Sequence, residues 1–168
     1  MKKREKKCLI AALILCAAIG LSGCGGKKQG ETGTCTFSIS CATLLDNMDR
    51  LPAEKRELVP SDGWILPVQT VTFTEGDSVF DVLQAVTREN KIHMEYEDTP
   101  LYKSAYIEGI ANLYEFDAGN ESGWMYNVNG WFPNYGCSRY ELKDGDTVEW
   151  VYTCDLGDDV GGGYATGG

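Results

Sequence analysis

Residues 122–152 read SGWMYNVNGWFPNYGCSRYELKDGDTVEWVY, and this stretch decides the fold. Asn129 and Gly130 separate two aromatic-rich segments, and both residues tolerate a positive φ angle, so the pair predicts a two-residue turn between antiparallel strands. Near the end of the stretch, Trp150 and Tyr152 alternate with smaller or polar residues, which is typical of a strand with one buried face. The stretch therefore predicts a β-rich carboxyl-terminal half.

The preceding sequence adds more strands and one strong helix signal. Cys35 to Cys41 alternates between apolar and polar residues, which predicts a strand. Ser78 is placed to cap a helix, with Asp81 as the acidic half of a capping box, and the apolar stripe continues to Asn90. Strands are also predicted at 68–74, 92–96, 106–116 and 138–142. This order predicts an α+β, β-grasp-like domain with a mixed sheet, one main helix on one face, and disulfide-capable cysteines.

The first 23 residues are predicted to be a lipoprotein signal peptide. A basic segment precedes an apolar run from Cys8 to Leu21, which is too short to span a bilayer as a helix. Residues 21–24, LSGC, resemble the bacterial lipobox, so Cys24 is the predicted lipidation site. The alternative is an ordinary secretory signal with an incidental cysteine. We expect a protein anchored by lipid to the extracytoplasmic face of a bacterial cell membrane.

The predicted organisation after the signal peptide is simple. Residues 24–33 form a glycine-rich linker, 34–160 the folded domain and 161–168 a glycine-rich tail. The whole chain has a net charge of −10, and removal of residues 1–23 with their five basic and one acidic residue leaves −14. Because a phosphate backbone requires a basic surface, nucleic acid is not an expected partner.

Four cysteines remain beyond Cys24, and their even number suggests two disulfides outside the cell. Cys35 and Cys41 lie about 20 Å apart along one predicted strand and cannot bond each other, which leaves two pairings open. If the first and last strands are parallel neighbours, as in β-grasp folds, Cys41 pairs with Cys154 and Cys35 with Cys137. No metal site is expected, since there is no CxxC pair and only one histidine.

Aromatic residues provide the candidate binding site, because eight of the chain's 18 aromatics fall within 124–152. Trp124, Tyr126 and Trp150 obey strand periodicity, so for these three we favour a core role. The turn-rich segment 131–135 favours exposure, and neighbouring amides suit a flat ligand with a polar edge or a protein hot spot. The predicted ligand-binding residues are Trp124, Tyr126, Asn127, Asn129, Trp131, Phe132, Asn134 and Tyr135.

The quoted stretch, together with DSVFDVLQAVTREN at 77–90, resembles the transcobalamin-like C-terminal domain. That family occurs in bacterial surface lipoproteins of unknown function and is similar to the smaller β-rich domain of vertebrate cobalamin carriers. The resemblance covers 65–155 through the elements G-W-x-Y-x-V-N-G and K-D-G-D-x-V-E-W. It implies a mixed fold that, in the carriers, closes over the corrin ring against a helical barrel. It also implies that the loop 129–135 approaches the ligand, with Trp124 and Tyr126 supporting it, although this sequence contains no such barrel.

These observations predict a non-catalytic ligand-binding domain at the cell surface, with a corrinoid such as cobalamin as the candidate ligand for uptake. The alternative is a surface protein–protein interaction or adhesion module that uses the same aromatics. An enzyme is not expected, because one histidine and no Ser/His/Asp or phosphate-loop arrangement leave little for catalysis. No cofactor is expected apart from cobalamin as a ligand.

Overall fold

The computed structural model describes residues 30–100 and 104–163. The predicted signal peptide, the lipidation site Cys24, most of the predicted linker and residues 164–168 lie outside the described residues. Within the described part, no helix is long and apolar enough to cross a membrane.

A four-stranded mixed sheet forms the centre of the domain. Its strands are β1 (Thr32–Ser40), β2 (Trp64–Thr74), β6 (Gly123–Val128) and β7 (Thr147–Thr153), in the order β2-β1-β7-β6. The two central strands, β1 and β7, are parallel, as expected of the first and last strands, and the outer pairs are antiparallel. Because β1 begins at Thr32, opposite Thr74, the predicted linker ends two residues earlier than expected.

One α-helix, α1 (Val79–Glu89), packs on this sheet, as predicted. The Ser78 hydroxyl accepts a hydrogen bond from the Asp81 backbone N–H at 3.2 Å, and the Asp81 carboxylate accepts one from the Ser78 backbone N–H at 2.8 Å. This reciprocal arrangement satisfies two donors that a helix start otherwise leaves unpaired, and it confirms the predicted capping box. The apolar stripe of α1 is buried against the sheet.

A second, three-stranded antiparallel sheet was not predicted. It consists of β3 (Met94–Thr99), β4 (Ser104–Ile110) and β5 (Leu113–Tyr114), in that order. The predicted strand at 106–116 reverses at Ala111 and Asn112, whose φ angles of 54° and 62° make the turn between β4 and β5. The irregularity expected at Gly109 is confirmed, because the β3–β4 register shifts there: Glu95 pairs with Gly109 and the next residue, Tyr96, pairs with Ile107. Gly109 also lies under the Tyr114 ring, since an added Cβ would be 2.7 Å from it.

Two apolar clusters hold these layers together. The main core lies between the four-stranded sheet, α1 and β4, and it includes Phe37, Ile39, Leu83 and Trp150. The second core lies at the carboxyl ends of β1 and β7; its members are Cys41, Leu44, Leu51, Leu113, Ala118, Tyr152 and Cys154. Both cores and both sheets lie within the compact unit 31–168, so this part of the chain contains everything that a domain needs to fold on its own.

Two strand predictions were wrong because prolines and turns interrupt the pairing. Asn129 and Gly130 make the predicted turn with φ angles of 56° and 78°, but only Trp131 pairs back to β6, through one bridge to Val128. Pro133 follows two residues later and has no backbone N–H to continue a ladder. Residues 138–142 likewise contain a 3₁₀ turn and one bridge instead of a strand.

The fold prediction is therefore confirmed at the level of an α+β domain with a mixed sheet and one main helix. The protein is mostly β, with two sheets and short 3₁₀ helices at Ala42–Asp46, Ala53–Leu58, Cys137–Arg139 and Asp158–Val160. The β-grasp likeness stays a prediction.

The predicted disulfides are not present, because Cys35, Cys41, Cys137 and Cys154 are all described and each is a buried free thiol. Cys41 and Cys154 share the second core, and Cys35 and Cys137 share the main core, so each expected pair lies in one cluster without a bond. The thiols pack as small apolar groups. Burial raises the pKa of Cys35 from 9.0 to about 11 and the pKa values of Cys41 and Cys137 to about 12.

The raised thiol pKa values predict that the reduced protein loses stability in alkali. Below pH 8 the thiols are protonated in both states, so they do not change the free energy of unfolding. As the pH rises from about 9 through 11–12, the unfolded state releases protons first, and each thiol lowers stability by about 1.4 kcal/mol per pH unit. Urea unfolding with reductant from pH 7 to 11 measures this, and a flat profile would contradict it. Alkylation of the never-reduced chain from Gly30 onward, in denaturant, counts its free thiols, and four are expected.

Candidate functional site

A cleft of about 450 Å³ lies between β4 of the three-stranded sheet and β6 of the four-stranded sheet, with residues 133–139 along its side. This volume is within the range of small-molecule sites. We name it the aromatic cleft, because five aromatic rings line it. The lining residues are Thr99, Ser104, Ala105, Tyr106, Ile107, Trp124, Met125, Tyr126, Pro133, Asn134, Tyr135, Gly136, Cys137, Arg139 and Trp150.

The inner wall of the aromatic cleft is a cross-strand pair of rings. Tyr126 on β6 lies opposite Trp150 on β7, with ring centroids 5.5 Å apart. The Tyr126 hydroxyl donates a hydrogen bond to the Tyr135 carbonyl at 2.9 Å, which ties segment 133–139 to the sheet. Burial raises the pKa of Tyr126, so this hydroxyl stays protonated and remains a donor.

The two tryptophans of the cleft differ in their hydrogen bonding. Trp124 Nε1 donates to the Leu113 carbonyl at 2.8 Å. Trp150 is only 2% exposed, and within the described part of the chain its Nε1 has no hydrogen-bond partner. An unpaired buried N–H costs about 1–3 kcal/mol, so most such groups in native proteins have partners. Trp150 Nε1 is therefore an exception, an unpaired donor within the main core.

The rim of the cleft is aromatic and carries one cation. The rings of Tyr135 and Tyr140 are stacked, with centroids 6.3 Å apart and an angle of 16° between them. Trp131 packs against both and is 46% exposed. The Arg139 guanidinium lies 5.6 Å from the Tyr135 ring centroid and forms no salt bridge to any residue that the structure describes. These contacts place a free positive charge beside an exposed aromatic surface.

Segment 133–139 is held on β4 by close packing and by serine hydroxyls. Ser104 Oγ lies 3.0 Å from Ser138 Oγ, which also accepts a hydrogen bond from the Ala105 backbone N–H. Gly136 packs directly on Ser104, because an added Cβ would lie 1.7 Å from Ser104 Oγ. Glycine is therefore required at position 136 by close approach rather than by its φ angle of −69°.

Four of the eight predicted binding residues line the aromatic cleft, namely Trp124, Tyr126, Asn134 and Tyr135. The other four do not line it. Asn127 accepts a hydrogen bond from the Gly130 backbone N–H, and Asn129 bonds to Asp146 and Thr147, so both amides serve the turn. Phe132 is buried beside Gly162, and Trp131 belongs to the rim.

Sequence reasoning missed the β4 wall of the cleft, Arg139, and the contribution of Trp150. The β4 residues reach the cleft because the three-stranded sheet lies beside β6, and no local sequence pattern predicts that sheet. Arg139 lies in the quoted stretch, yet a single arginine among turn residues carries no signal. Trp150 was correctly placed in the core by its periodicity, and only the structure shows that it also lines a cleft.

The cleft is lined by aromatic rings, hydroxyl groups, the Cys137 thiol and the Arg139 guanidinium. No histidine or carboxylate is among the described residues that line it. The one described histidine, His93, bonds to Glu95 and Tyr114 elsewhere on the surface. Within the described ranges, no three His, Cys, Asp or Glu side chains are grouped so that they could hold a metal ion.

An α+β domain with an aromatic cleft between two sheets is the class that these observations define. The sequence matches the family described as "Domain of unknown function (DUF4430)" over residues 76–154. That match covers α1 and every strand from β3 to β7. No curated protein matches the sequence.

Among solved structures, haptocorrin in complex with Cbi is similar to this chain with a TM-score of 0.55 and 15% sequence identity. The match covers 81% of this chain but only 28% of the haptocorrin chain. At this identity the likeness concerns the fold alone, and it agrees with the fold that the sequence resemblance implied. A candidate metal-binding protein from Ruminococcus gnavus ATCC 29149 matches 73% of this chain and 96% of its own, with a TM-score of 0.41 and 16% identity.

Proposed function

We propose that this protein is a non-catalytic ligand-binding lipoprotein whose aromatic cleft binds a flat ligand, with a corrinoid as the candidate. The observation that carries the proposal is the cleft itself. It combines five aromatic rings with one guanidinium group, that of Arg139. Aromatic walls with a few placed polar groups are the usual composition of small-molecule sites.

The corrinoid candidate is supported by the fold likeness to haptocorrin, a protein solved in complex with Cbi, and by the sequence motifs of the resemblance. This chain spans 28% of haptocorrin, so it would provide one side of the site. A ligand bound from one side has less of its surface covered and is held less tightly. We therefore expect micromolar binding by this chain alone.

The anchoring proposal rests on the sequence. A lipid-anchored Cys24 on the extracytoplasmic face would keep the cleft at the membrane surface, where a captured ligand could pass to an uptake system. The non-catalytic proposal is supported by the cleft chemistry, because its lining side chains offer donors and rings in place of acid–base pairs.

Equilibrium dialysis of the chain from Gly30 onward against cyanocobalamin tests the corrinoid proposal. We expect saturable binding at micromolar concentrations, and Tyr135→Ala should weaken it about tenfold, because one aromatic contact contributes roughly 1 kcal/mol beyond its buried area. Tyr96→Ala is the matched control, since Tyr96 lies on β3, packs on Phe80 and does not line the cleft. No binding at high micromolar cyanocobalamin would contradict the corrinoid proposal.

A protein-interaction function is the second candidate, and one observation favours it. Trp131, Tyr135 and Tyr140 form a partly exposed aromatic rim next to Arg139, which forms no salt bridge within the described ranges. Aromatic and arginine side chains dominate protein hot spots. A pull-down from a cell envelope with wild type and Trp131→Ala separates this function from the first. Equal recovery of the same proteins by both variants would remove its support.

A further inference from the structure

We propose that a second surface, formed by the side chains of Phe116 and Leu156, docks a partner protein that presents an apolar pocket with a basic rim. We name this surface the apolar tips. Neither residue lines the aromatic cleft, so the inference goes beyond the ligand-binding proposal and does not depend on it. The tips also differ from the rim around Trp131. Leu156 follows the end of the β6–β7 ladder where Gly123 pairs with Thr153, whereas Trp131 follows the opposite end of β6.

The two tips are neighbours that the structure holds in exposed positions. Phe116 is 60% exposed and Leu156 is 59% exposed. The Phe116 backbone N–H donates to the Ser122 carbonyl at 2.9 Å, and the Leu156 backbone N–H donates to the Glu121 carbonyl at 2.9 Å. Because Glu121 and Ser122 are adjacent, one short backbone segment positions both tips. Ser122 is buried, so this support is anchored in the domain.

The backbone conformation of the tips shows that their exposure has a cost. Their φ angles are 65° and 46°, in the left-handed region. Six non-glycine residues have positive φ angles in the described part of the chain, and Phe116 and Leu156 are the two large apolar ones among them. Bulky side chains are uncommon in this region, and strained residues cluster at binding sites. A single exposed leucine needs no explanation, but two neighbouring apolar residues on strained backbone indicate a function.

Carboxylates surround the tips and determine which partner can approach them. Those that flank the tips in sequence, or through the hydrogen bond of Leu156, are Glu115, Asp117, Glu121, Asp155, Asp158 and Asp159. Lys55 pairs with Asp117 at 2.6 Å, and the other five form no salt bridge to a residue that the structure describes. Arg50 also lies nearby, where it donates to the Cys154 carbonyl. Negative charge remains in excess, so a partner must bring lysine or arginine side chains to this rim.

The same charge disfavours two other occupants. In a symmetric dimer through the tips, each acidic rim would face the acidic rim of the second copy. A bilayer with anionic lipids would also repel this rim, although phenylalanine and leucine side chains can enter a bilayer interface. A protein with an apolar pocket and a basic rim matches both the side chains and the charge. Because the backbone already fixes the tips, docking loses less conformational entropy.

A matched pair of peptides tests the inference on the chain from Gly30 onward. One peptide is a short amphipathic helix of leucine and lysine, and the other has glutamate in place of every lysine. We expect the lysine peptide to bind at micromolar concentrations and to cause the largest ¹⁵N spectral shifts at 115–122 and 154–159. Its affinity should fall at least about threefold between low and physiological salt. The glutamate peptide should bind at least about tenfold more weakly.

Glycine at both tips separates docking from folding. Phe116→Gly combined with Leu156→Gly removes both side chains and suits the positive φ angles. It should weaken binding of the lysine peptide at least about tenfold and keep the urea midpoint close to that of wild type or above it. Val68→Ala is the matched control, because Val68 is also 60% exposed but lies on β2, at the opposite edge of the four-stranded sheet from β6. Glu121→Gln combined with Asp155→Asn should reduce the salt dependence.

Four results with the peptides would overturn the inference. They are no binding of the lysine peptide at high micromolar concentration, equal binding of the two peptides, spectral shifts outside the two stretches, and an affinity that the glycine variant retains. The spectra of the wild-type chain decide the question even if the glycine variant fails to fold. None of these measurements uses cyanocobalamin, so a failure of corrinoid binding is recorded separately.

The other occupants are tested in parallel. Sedimentation measures self-association, and flotation measures binding to phosphatidylcholine or phosphatidylglycerol vesicles. A dimer or a vesicle complex that the glycine substitutions abolish would overturn the inference in favour of that occupant. A chain that ends at Gly163 tests the tail 164–168. If it binds the lysine peptide at least about tenfold more tightly than the longer chain, the tail and not a partner covers the tips.

Discussion

Gly136→Ala should destabilise the domain by about 3 kcal/mol and abolish binding in the aromatic cleft. The new Cβ would lie 1.7 Å from Ser104 Oγ and 2.5 Å from Ser104 Cβ, and Ser104 is itself buried and bonded to Ser138. Neither side can move without cost, so segment 133–139 must separate from β4 or the core must strain. Urea unfolding and cyanocobalamin dialysis measure the two effects.

Two further variants show whether this effect comes from the close approach. Adding Ser104→Gly to Gly136→Ala removes both overlapping atoms and should recover most of the lost stability. Gly123→Ala on β6 is the matched control, because its new Cβ would meet Glu115 Cβ at an ordinary 3.6 Å. It should change stability by less than about 1 kcal/mol. A Gly136→Ala protein as stable as wild type would show that segment 133–139 is not held as described.

Tyr152→Ala should cost about 4 kcal/mol of stability, the second large effect that the structure predicts. Tyr152 is fully buried in the second core, and its ring meets Trp124 edge-on with centroids 5.2 Å apart. Its hydroxyl donates to the Tyr114 carbonyl at 2.7 Å and lies 3.1 Å from Ser122 Oγ. Removal of the side chain leaves a large cavity and also detaches β7 from β5.

Graded substitutions separate the ring from the hydroxyl of Tyr152. Tyr152→Phe keeps the packing and should cost only about 1–2 kcal/mol, since it leaves the Tyr114 carbonyl without this donor. Tyr106→Phe is the control for a tyrosine hydroxyl at the surface, because Tyr106 is 48% exposed and its hydroxyl bonds to the Glu115 carboxylate. It should change stability by no more than about 0.5 kcal/mol. Equal losses of stability for Tyr152→Phe and Tyr152→Ala would contradict this prediction, because they would show that the hydroxyl, and not the cavity left by the ring, causes most of the destabilisation.

Local patterns predicted those parts of the fold that local chemistry determines. The capping box of Ser78 and Asp81, the alternation in β1 and β7, and the turn at Asn129 all appear where the sequence placed them. Each depends on residues within a few positions of one another. The strand predicted after the turn at Asn129 was wrong. Pro133 and the close approach of Gly136 to Ser104 prevent strand pairing there, despite the aromatic residues of the segment.

The candidate site could be predicted only in part, because it is assembled from distant segments. Trp124, Tyr126, Asn134 and Tyr135 lie close together in sequence and were found from their composition. Tyr106 and Ser104 reach the same cleft because β4 packs against β6 and segment 133–139, a contact between distant segments that no local propensity predicts. The unpaired state of Trp150 depends on every neighbour at once, and no single segment encodes it.

The parallel pairing of β1 with β7 also determines when the domain can fold. The partners in this ladder, such as Thr36 and Thr147, are more than a hundred residues apart, and both strands are central in the sheet. Contacts of such long range close slowly, because chain entropy is lost before they form. The central ladder therefore cannot form until β7 has been synthesised, and a chain without that ladder can still be threaded through a narrow channel.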